Sequence, residues 1–280
     1  ARMLIGFGSA ACLMATFKAI TLTLPHEQWP FYNGIALMVG SLGALASTAP
    51  LLWLESYLGW RGCFGLLALL TSLLWLVLWQ AVTELRPTQS SGAREMLADL
   101  RALYSLPRFW QISLMSLLPQ GFYMAFQGLW LGPWLRDVAH WSAPTVAFAL
   151  LASGAAMVLG SFLSGSLATG LLRQGVRTLS LQVVMIAVCW LCIAGLLIGQ
   201  GKWAWGLAIG LCFSGAFASL SYSVLSQQVP ANLSGRVTTS YNFLLFVVAF
   251  ALQWGFGLVL EAAGGNYRIP LAGVLLLQIP

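Results

Sequence analysis

Residues 119–137 read PQGFYMAFQGLWLGPWLRD, and this stretch decides the fold class. On a helix of 3.6 residues per turn, its polar and aromatic side chains recur at steps of three and four, so they share one face. This polar stripe consists of Gln120, Tyr123, Gln127, Trp130 and Trp134. The other positions are mostly apolar. An apolar helix with an uncharged, hydrogen-bonding stripe predicts the wall of a cavity inside a membrane protein.

The composition of the whole chain gives the same class. Of 280 residues, 59% are hydrophobic and 7% are charged, and the mean hydropathy is +0.85. Soluble domains carry about 25% charged residues. We therefore predict an all-α polytopic membrane protein whose surroundings are the lipid bilayer. The net charge of +6 comes from thirteen basic residues scattered between apolar runs, which fits membrane loops and argues against a nucleic-acid partner.

Apolar runs of about 20 residues, long enough to cross a bilayer, occur throughout the chain. They cover 2–23, 31–54, 62–82, 109–135, 143–172, 178–199, 203–227 and 237–260, and a ninth begins near Ile269. The only long polar segment separates the third run from the fourth, and its residues 94–101 predict a short amphipathic helix. We therefore divide the chain into a first helical block (1–82), a linker (83–108) and a second helical block (109–280).

Basic residues in alternate loops predict the orientation. Seven lie on one side and four on the other, which places the linker and the 173–177 loop in the cytoplasm. The two helical blocks also share a repeated sequence pattern. Pro25 matches Pro230, and Arg61 matches Arg268, with offsets of 205 and 207. A parallel repeat of this kind predicts two similar bundles and three further helices before Ala1, so we expect the chain to be a fragment of a twelve-helix protein.

Three motifs resemble the major facilitator superfamily (MFS). They are Arg2-x-x-x-Gly6-x-Gly8, Gly59-Trp60-Arg61-x-x-Phe64, and the loop from Gly165 to Arg177. The resemblance covers the chain from the family's fourth helix into its twelfth, and it implies a two-bundle transporter fold. The loop departs from the family pattern at Thr169, where an aspartate is usual. Gly40-Ser-Leu-Gly43 lacks the Gly-Pro pair of drug-proton antiporters.

The resemblance also implies which helices line the solute path. It makes residues 119–137 the seventh, central helix, so we expect Gln120, Tyr123, Gln127 and Trp130 to line a cavity. Further substrate-binding candidates on the tenth and eleventh helices are Ser214, Ser219, Tyr222 and Asn242. The alternative for all of these residues is hydrogen bonding between helices or to the backbone without ligand contact.

Charged residues within apolar runs are functional candidates because their insertion is costly. The resemblance implies that Arg2 takes part in proton coupling or supplies a charge to the cavity. Lys18 is a second candidate, as a contact for an anionic substrate. Both side chains are also long enough to extend to the membrane interface instead. The resemblance further assigns Gly165, Arg173 and Arg177 to a cytoplasmic gate loop. No carboxylate lies in the middle of a run, so proton coupling would need a carrier upstream of Ala1.

No cluster of side chains predicts catalysis, a cofactor or a metal. His26 and His140 lie on opposite sides of the membrane, and the five cysteines lie within apolar runs. We therefore predict secondary active or facilitative transport of a small organic solute by alternating access. We expect a monomer in the plasma membrane, the bacterial inner membrane, with a coupling proton or other ion as a further partner. A transporter-like sensor or scaffold is the alternative, and a membrane-embedded enzyme is the least favoured.

Overall fold

The computed structural model describes residues 12–47, 49–81, 92–198, 203–229 and 233–278, and every regular element in these ranges is helical. The first block contains α1 (Cys12–Thr23), α2 (Trp29–Ala46) and α3 (Ala49–Ala81), and the linker contains α4 (Ala93–Tyr104). The second block contains α5 (Pro107–Ala125), α6 (Leu131–Asp137), α7 (Ala143–Arg173), α8 (Thr178–Ile198), α9 (Ala204–Ala216), α10 (Leu220–Ser226), α11 (Ser234–Ala262) and α12 (Arg268–Leu277).

Five helical segments among the described residues are long and apolar enough to cross a membrane. They are Trp53–Gln80, Ala143–Arg173, Thr178–Ile198, Ala204–Ser226 and Ser234–Ala262. The protein is therefore a multi-pass membrane protein. Five of the eight predicted runs are thus matched by such helices, and residues 2–11 of the first run lie outside the described residues. The predicted amphipathic helix of the linker is present as α4.

The predicted helix over 31–54 is wrong at its end. α2 ends at Ala46, and a new helix starts at Ala49. Pro50 explains the break, because proline donates no backbone hydrogen bond and its ring clashes with the carbonyl group four residues earlier. α3 then bends at Gly59, whose φ of 62° and ψ of 169° lie outside the helical region. Glycine reaches this conformation without a steric penalty.

The central helix is also less regular than expected. Between α5 and α6, residues Phe126–Trp130 form a π-helical turn. A π turn takes one residue more than an α turn, so side chains beyond it are rotated relative to those before it. The predicted polar stripe therefore does not continue on one face, and Trp134 is 1% exposed within the core of the second block. A similar irregularity, the 3₁₀ turn Phe217–Ser219, separates α9 from α10.

The two blocks meet mainly where α2 packs against α7, and small residues allow the two backbones to approach closely. A Cβ atom added at Gly34 would lie 2.8 Å from the Ser161 carbonyl oxygen and 2.9 Å from the Gly165 Cα. A Cβ atom added at Gly165 would collide with the carbonyl oxygen of Pro30. Only residues without a side chain permit this contact, as is common between membrane helices.

The linker helix α4 is tied to the second block by an ion pair between Asp99 and Arg236, the latter at the start of α11. Leu103, which is 4% exposed, joins a core cluster with Phe109 and Val237. We call the end of the molecule at which α4 lies the linker side, and the opposite end the outer side.

Charge reversal at this pair should weaken the attachment of α4. Both side chains are partly exposed, so the pair contributes about 1 kcal/mol at most. We expect Arg236→Asp to lower the thermal midpoint of the purified protein by a few degrees, because it places two carboxylates together. The double variant Asp99→Arg/Arg236→Asp should recover part of that loss. Arg94→Asp on the same helix is the control, and equal effects of Arg94→Asp and Arg236→Asp would contradict the expectation.

Candidate polar site between the helices

A hydrogen-bonded cluster joins the central helix to α11. The hydroxyl group of Tyr241 donates to Gln120 Oε1 at 2.7 Å, and it lies 3.0 Å from Ser116 Oγ. Tyr241 is 0% exposed and Gln120 is 8% exposed. Buried polar groups need partners, so this network holds both side chains in defined orientations. We call it, together with Tyr222 and Asn242, the tyrosine cluster.

Tyr222 extends the cluster to α10. Its hydroxyl group donates to Asn242 Oδ1 at 2.7 Å, and its ring meets that of Tyr241 edge to face, with centroids 5.1 Å apart. Phe17 of α1 covers the other side of Tyr222 at a centroid distance of 4.9 Å. One aromatic and polar centre is therefore built by α1 of the first block and by α5, α10 and α11 of the second.

The hydrogen-bond pattern gives this centre a chemical preference. Gln120 and Asn242 each accept a tyrosine proton through the amide oxygen. Each amide NH₂ group then remains as a donor. A ligand that offers oxygen acceptors, such as hydroxyl, carbonyl or carboxylate groups, would satisfy these donors without any fixed cation.

Tyr123 and Trp130 lie away from the tyrosine cluster. The Tyr123 ring packs so closely on Gly215 that a Cβ atom there would collide with it, and its buried hydroxyl group has no hydrogen-bond partner among the described residues. Trp130 stacks near Phe256 and donates from Nε1 to the carbonyl oxygen of Gln253 at 3.1 Å. Gln127 is half-buried within the π turn.

The two serine candidates belong to the local helical structure and do not contact the tyrosine cluster. Ser214 Oγ donates to the carbonyl oxygen of Gly210 at 2.6 Å, within its own helix. Ser219 is 7% exposed and belongs to the 3₁₀ turn. The structure thus brings together Gln120, Tyr222 and Asn242, but it leaves the two serines and Tyr123 in helix packing.

The charged candidates and the gate-loop residues lie elsewhere. Lys18 runs along Gly235 at the linker side, where a Cβ atom on that glycine would lie 3.1 Å from Lys18 Cδ. Arg2 lies outside the described residues. Gly165 lies inside α7 against α2, whereas Arg173 and Arg177 are exposed around the turn at Gly175, whose φ is 81°.

Sequence reasoning missed the residue at the centre of the cluster. Tyr241 directly precedes Asn242, and it stands out by the same criterion, a polar side chain within an apolar run. Its partners could not be found in this way, because Ser116 and Gln120 lie 125 and 121 positions earlier. Two hydrogen bonds between the blocks were also missed, Asn33 Nδ2 to Ser223 Oγ at 2.9 Å and Thr21 Oγ1 to Ser234 Oγ at 3.0 Å.

A tyrosine outside the tyrosine cluster, Tyr267, ties the ends of helices at the outer side. The hydroxyl group of Tyr267 donates to Asp137 Oδ2 at 3.0 Å. Burial, together with the hydrogen bond and the negative charge of Asp137, raises the pKa of Tyr267 to about 12, from 10.0. The folded protein therefore favours the neutral phenol.

This shift predicts a loss of stability in alkali. The contribution of Tyr267 should be intact below about pH 10 and lost as the pH rises through about 12, since only the folded state resists ionisation. We expect the thermal midpoint of the wild-type protein to fall more steeply over this range than that of Tyr267→Phe. Parallel curves for the two proteins, measured by light scattering on heating, would contradict the assignment.

Comparison with known proteins identifies the family. The family model described as Major Facilitator Superfamily matches residues 1–252. The chain belongs to the Major Facilitator Superfamily. A comparison with curated proteins gave no match. The resemblance suggested by the sequence motifs is therefore confirmed for most of the chain.

Two solved structures show the same MFS fold. FucP, an MFS transporter in the outward conformation, superposes with a TM-score of 0.69 at 14% identity, covering 95% of this chain and 71% of that one. A structure of the E. coli fucose:proton symporter FucP gives a TM-score of 0.65 at 16% identity, covering 95% and 72%. The MFS comprises transporters rather than enzymes, and this chain is a secondary transmembrane transporter of small solutes.

Proposed function

We propose that the solute binds at the tyrosine cluster and that the two blocks give it alternating access to the two sides of the membrane. The observation that carries this proposal is the position of the cluster. Its polar groups come from α5, α10 and α11 of the second block, and Phe17 of the first block covers them. Solute sites in such transporters lie between the two repeats, where each block contacts the ligand.

The contacts between the blocks support a state that is closed at the linker side. Thr21 bonds to Ser234, and Asn33 bonds to Ser223, both near the linker ends of α11 and α10. Inward opening would have to break both hydrogen bonds. The similarity to FucP in its outward conformation supports the same assignment.

The chemistry of the cluster supports a neutral or weakly anionic organic solute. Its free donors are amide NH₂ groups, and its walls are the rings of Phe17, Tyr222 and Tyr241. Apolar and aromatic walls with a few oriented polar groups are typical of small-molecule sites. FucP is a fucose:proton symporter, so neutral monosaccharides are the first solutes to test.

The coupling ion is a separate part of the proposal. Among the described carboxylates, Asp99 pairs with Arg236 and Asp137 pairs with Arg136. The remaining described carboxylates form no hydrogen bond or ion pair with the tyrosine cluster; they are Glu27, Glu55, Glu95 and Glu261. A coupling proton would therefore be carried by a residue outside the described part of the chain. We further propose that the protein acts as a monomer in the bacterial inner membrane.

Flux measurements on the full-length protein in proteoliposomes test the function. A panel of radiolabelled neutral sugars and hydroxy acids should include at least one solute whose uptake exceeds that of empty vesicles. A proton gradient should accelerate uptake if the transporter is proton-coupled, and a facilitator would respond only to the solute gradient. A folded, correctly inserted protein that moved none of these solutes would favour the sensor or scaffold alternative.

A further inference from the structure

A cavity of about 470 Å³ opens at the linker side of the second block, apart from the tyrosine cluster. It lies among the first turns of α5, the α7–α8 loop and the end of α10. Its polar lining consists of Arg108, Gln111, Arg177, Thr178, Gln227 and Gln228. None of the described residues that line it is a carboxylate, so these residues give the cavity two positive charges and several hydrogen-bonding groups.

Neither arginine of the cavity forms an ion pair within the described part of the chain. Two guanidinium groups that share one cavity without a counterion repel each other. Guanidinium forks are suited to bind phosphate and carboxylate groups through paired hydrogen bonds.

A buried donor at the same place points to a ligand independently of the charges. Thr178 is 3% exposed, and its hydroxyl group has no hydrogen-bond partner among the described residues, although it lines the cavity. Thr178 is also the first residue of α8, a helix of 21 residues. The positive end of the helix dipole at such a terminus favours an anion.

We propose that this cavity binds a phosphate group carried by an organic molecule. Arg108 and Arg177 would neutralise the phosphate charge, and the Thr178 hydroxyl group would donate to one of its oxygens. Ile112, Met115 and Val224 form an apolar wall that would contact the organic part. A volume of this size exceeds what inorganic phosphate alone requires and falls in the range of organic ligands.

Two sources offer this chemistry. An anionic phospholipid could place its headgroup in the cavity, because basic pockets between helices on the cytoplasmic side suit such headgroups. A soluble phosphate ester could also enter from the aqueous phase. Both make the same contacts with Arg108, Arg177 and Thr178, and their affinities distinguish them.

Binding of either kind of ligand can be measured through the thermal unfolding midpoint of the full-length protein in a neutral detergent. A ligand that binds the folded state raises this midpoint. The lipid probe is dioctanoyl phosphatidylglycerol, with dioctanoyl phosphatidylcholine as its zwitterionic control. The soluble probe is glycerol 3-phosphate, with glycerol as its control. Binding by either anionic probe, weakened by added salt, is the expected result.

Three variants locate the site. Arg177→Gln should weaken binding of the anionic probe about tenfold, because it removes a charge-assisted contact. Arg173→Gln, in the same loop but outside the cavity lining, should leave the affinity unchanged. Thr178→Val keeps the side-chain shape and should weaken binding by a smaller factor, which provides a test even if Arg177→Gln does not fold.

The outcomes are distinct. Binding of phosphatidylglycerol but not glycerol 3-phosphate assigns the site to a lipid, and binding of glycerol 3-phosphate assigns it to a soluble ester. Equal stabilisation by the anionic and control probes would overturn the proposal. Equal loss of affinity in Arg173→Gln and Arg177→Gln would also overturn it. Because no transport is measured, failure here leaves the transport proposal intact.

Discussion

Transport by Tyr241→Phe and by Gln120→Leu is expected to fall at least about tenfold. Tyr241→Phe removes the proton donated to Gln120 Oε1 at 2.7 Å and the contact with Ser116 Oγ at 3.0 Å. The buried Gln120 Oε1 then loses its donor, at a cost of about 1–3 kcal/mol. The Gln120 amide also loses the hydrogen bond that orients its NH₂ group toward a ligand. Gln120→Leu removes that donor altogether.

Initial uptake rates in proteoliposomes, measured over a range of solute concentrations, check this expectation. A higher KM with a modest change in kcat would show weaker solute binding, whereas a fall in kcat alone would show a slower conformational step. Tyr57→Phe is the matched control, because Tyr57 is 72% exposed and far from the cluster in sequence. Unchanged kinetics in a correctly folded Tyr241→Phe protein would remove the tyrosine cluster from the solute site.

Gly165→Leu is expected to abolish most transport and to destabilise the protein. The added side chain would meet backbone atoms of α2, the Pro30 carbonyl oxygen and the Phe31 Cα, the latter 3.0 Å from its Cβ atom. Backbone atoms cannot avoid a collision by changing rotamer, so α2 and α7 would have to separate. Overpacking of this kind costs about 1–3 kcal/mol. It would also separate the two blocks, which the proposed mechanism requires to pack at the linker side.

Gly170→Leu is the matched control, because it lies on the same helix and an added Cβ atom there meets nothing within 4 Å. We expect Gly165→Leu to lower the thermal midpoint by about 3–10 °C. Its uptake rate should fall at least about tenfold, while Gly170→Leu stays near wild type in both measurements. Similar behaviour of the two variants would show that the α2–α7 contact does not depend on a close approach at Gly165.

Much of the fold could be predicted from the sequence, because the hydropathy of a segment is a local property. A run of about 20 apolar residues crosses a bilayer whatever its neighbours are, so the order of helices, the linker helix and the membrane class follow from composition and hydropathy. The family motifs added the transporter fold, and the family comparison over residues 1–252 confirms it. Helix ends were less certain, as Pro50 shows, because a single residue decides them.

The site could be predicted only in part. Periodicity shows which residues share one face of a helix, but it does not show which other helix packs against that face. Gln120, Tyr222 and Asn242 stood out as polar residues in apolar runs, and the structure brings them together. The π turn at Phe126–Trp130 rotated the rest of the polar stripe away, and the packing on Gly215 placed Tyr123 in the core of the second block. Such a turn depends on tertiary packing.

The sequence by itself determined an apolar, multi-helical membrane protein and the residue types available for an uncharged site, because hydrophobicity and side-chain chemistry are properties of each segment. The tertiary structure decided which of those residues meet. Tyr241 and Gln120 are 121 positions apart and bond only because α11 packs on the central helix. Contacts between distant segments follow from how whole helices fit together, and no local pattern encodes that fit.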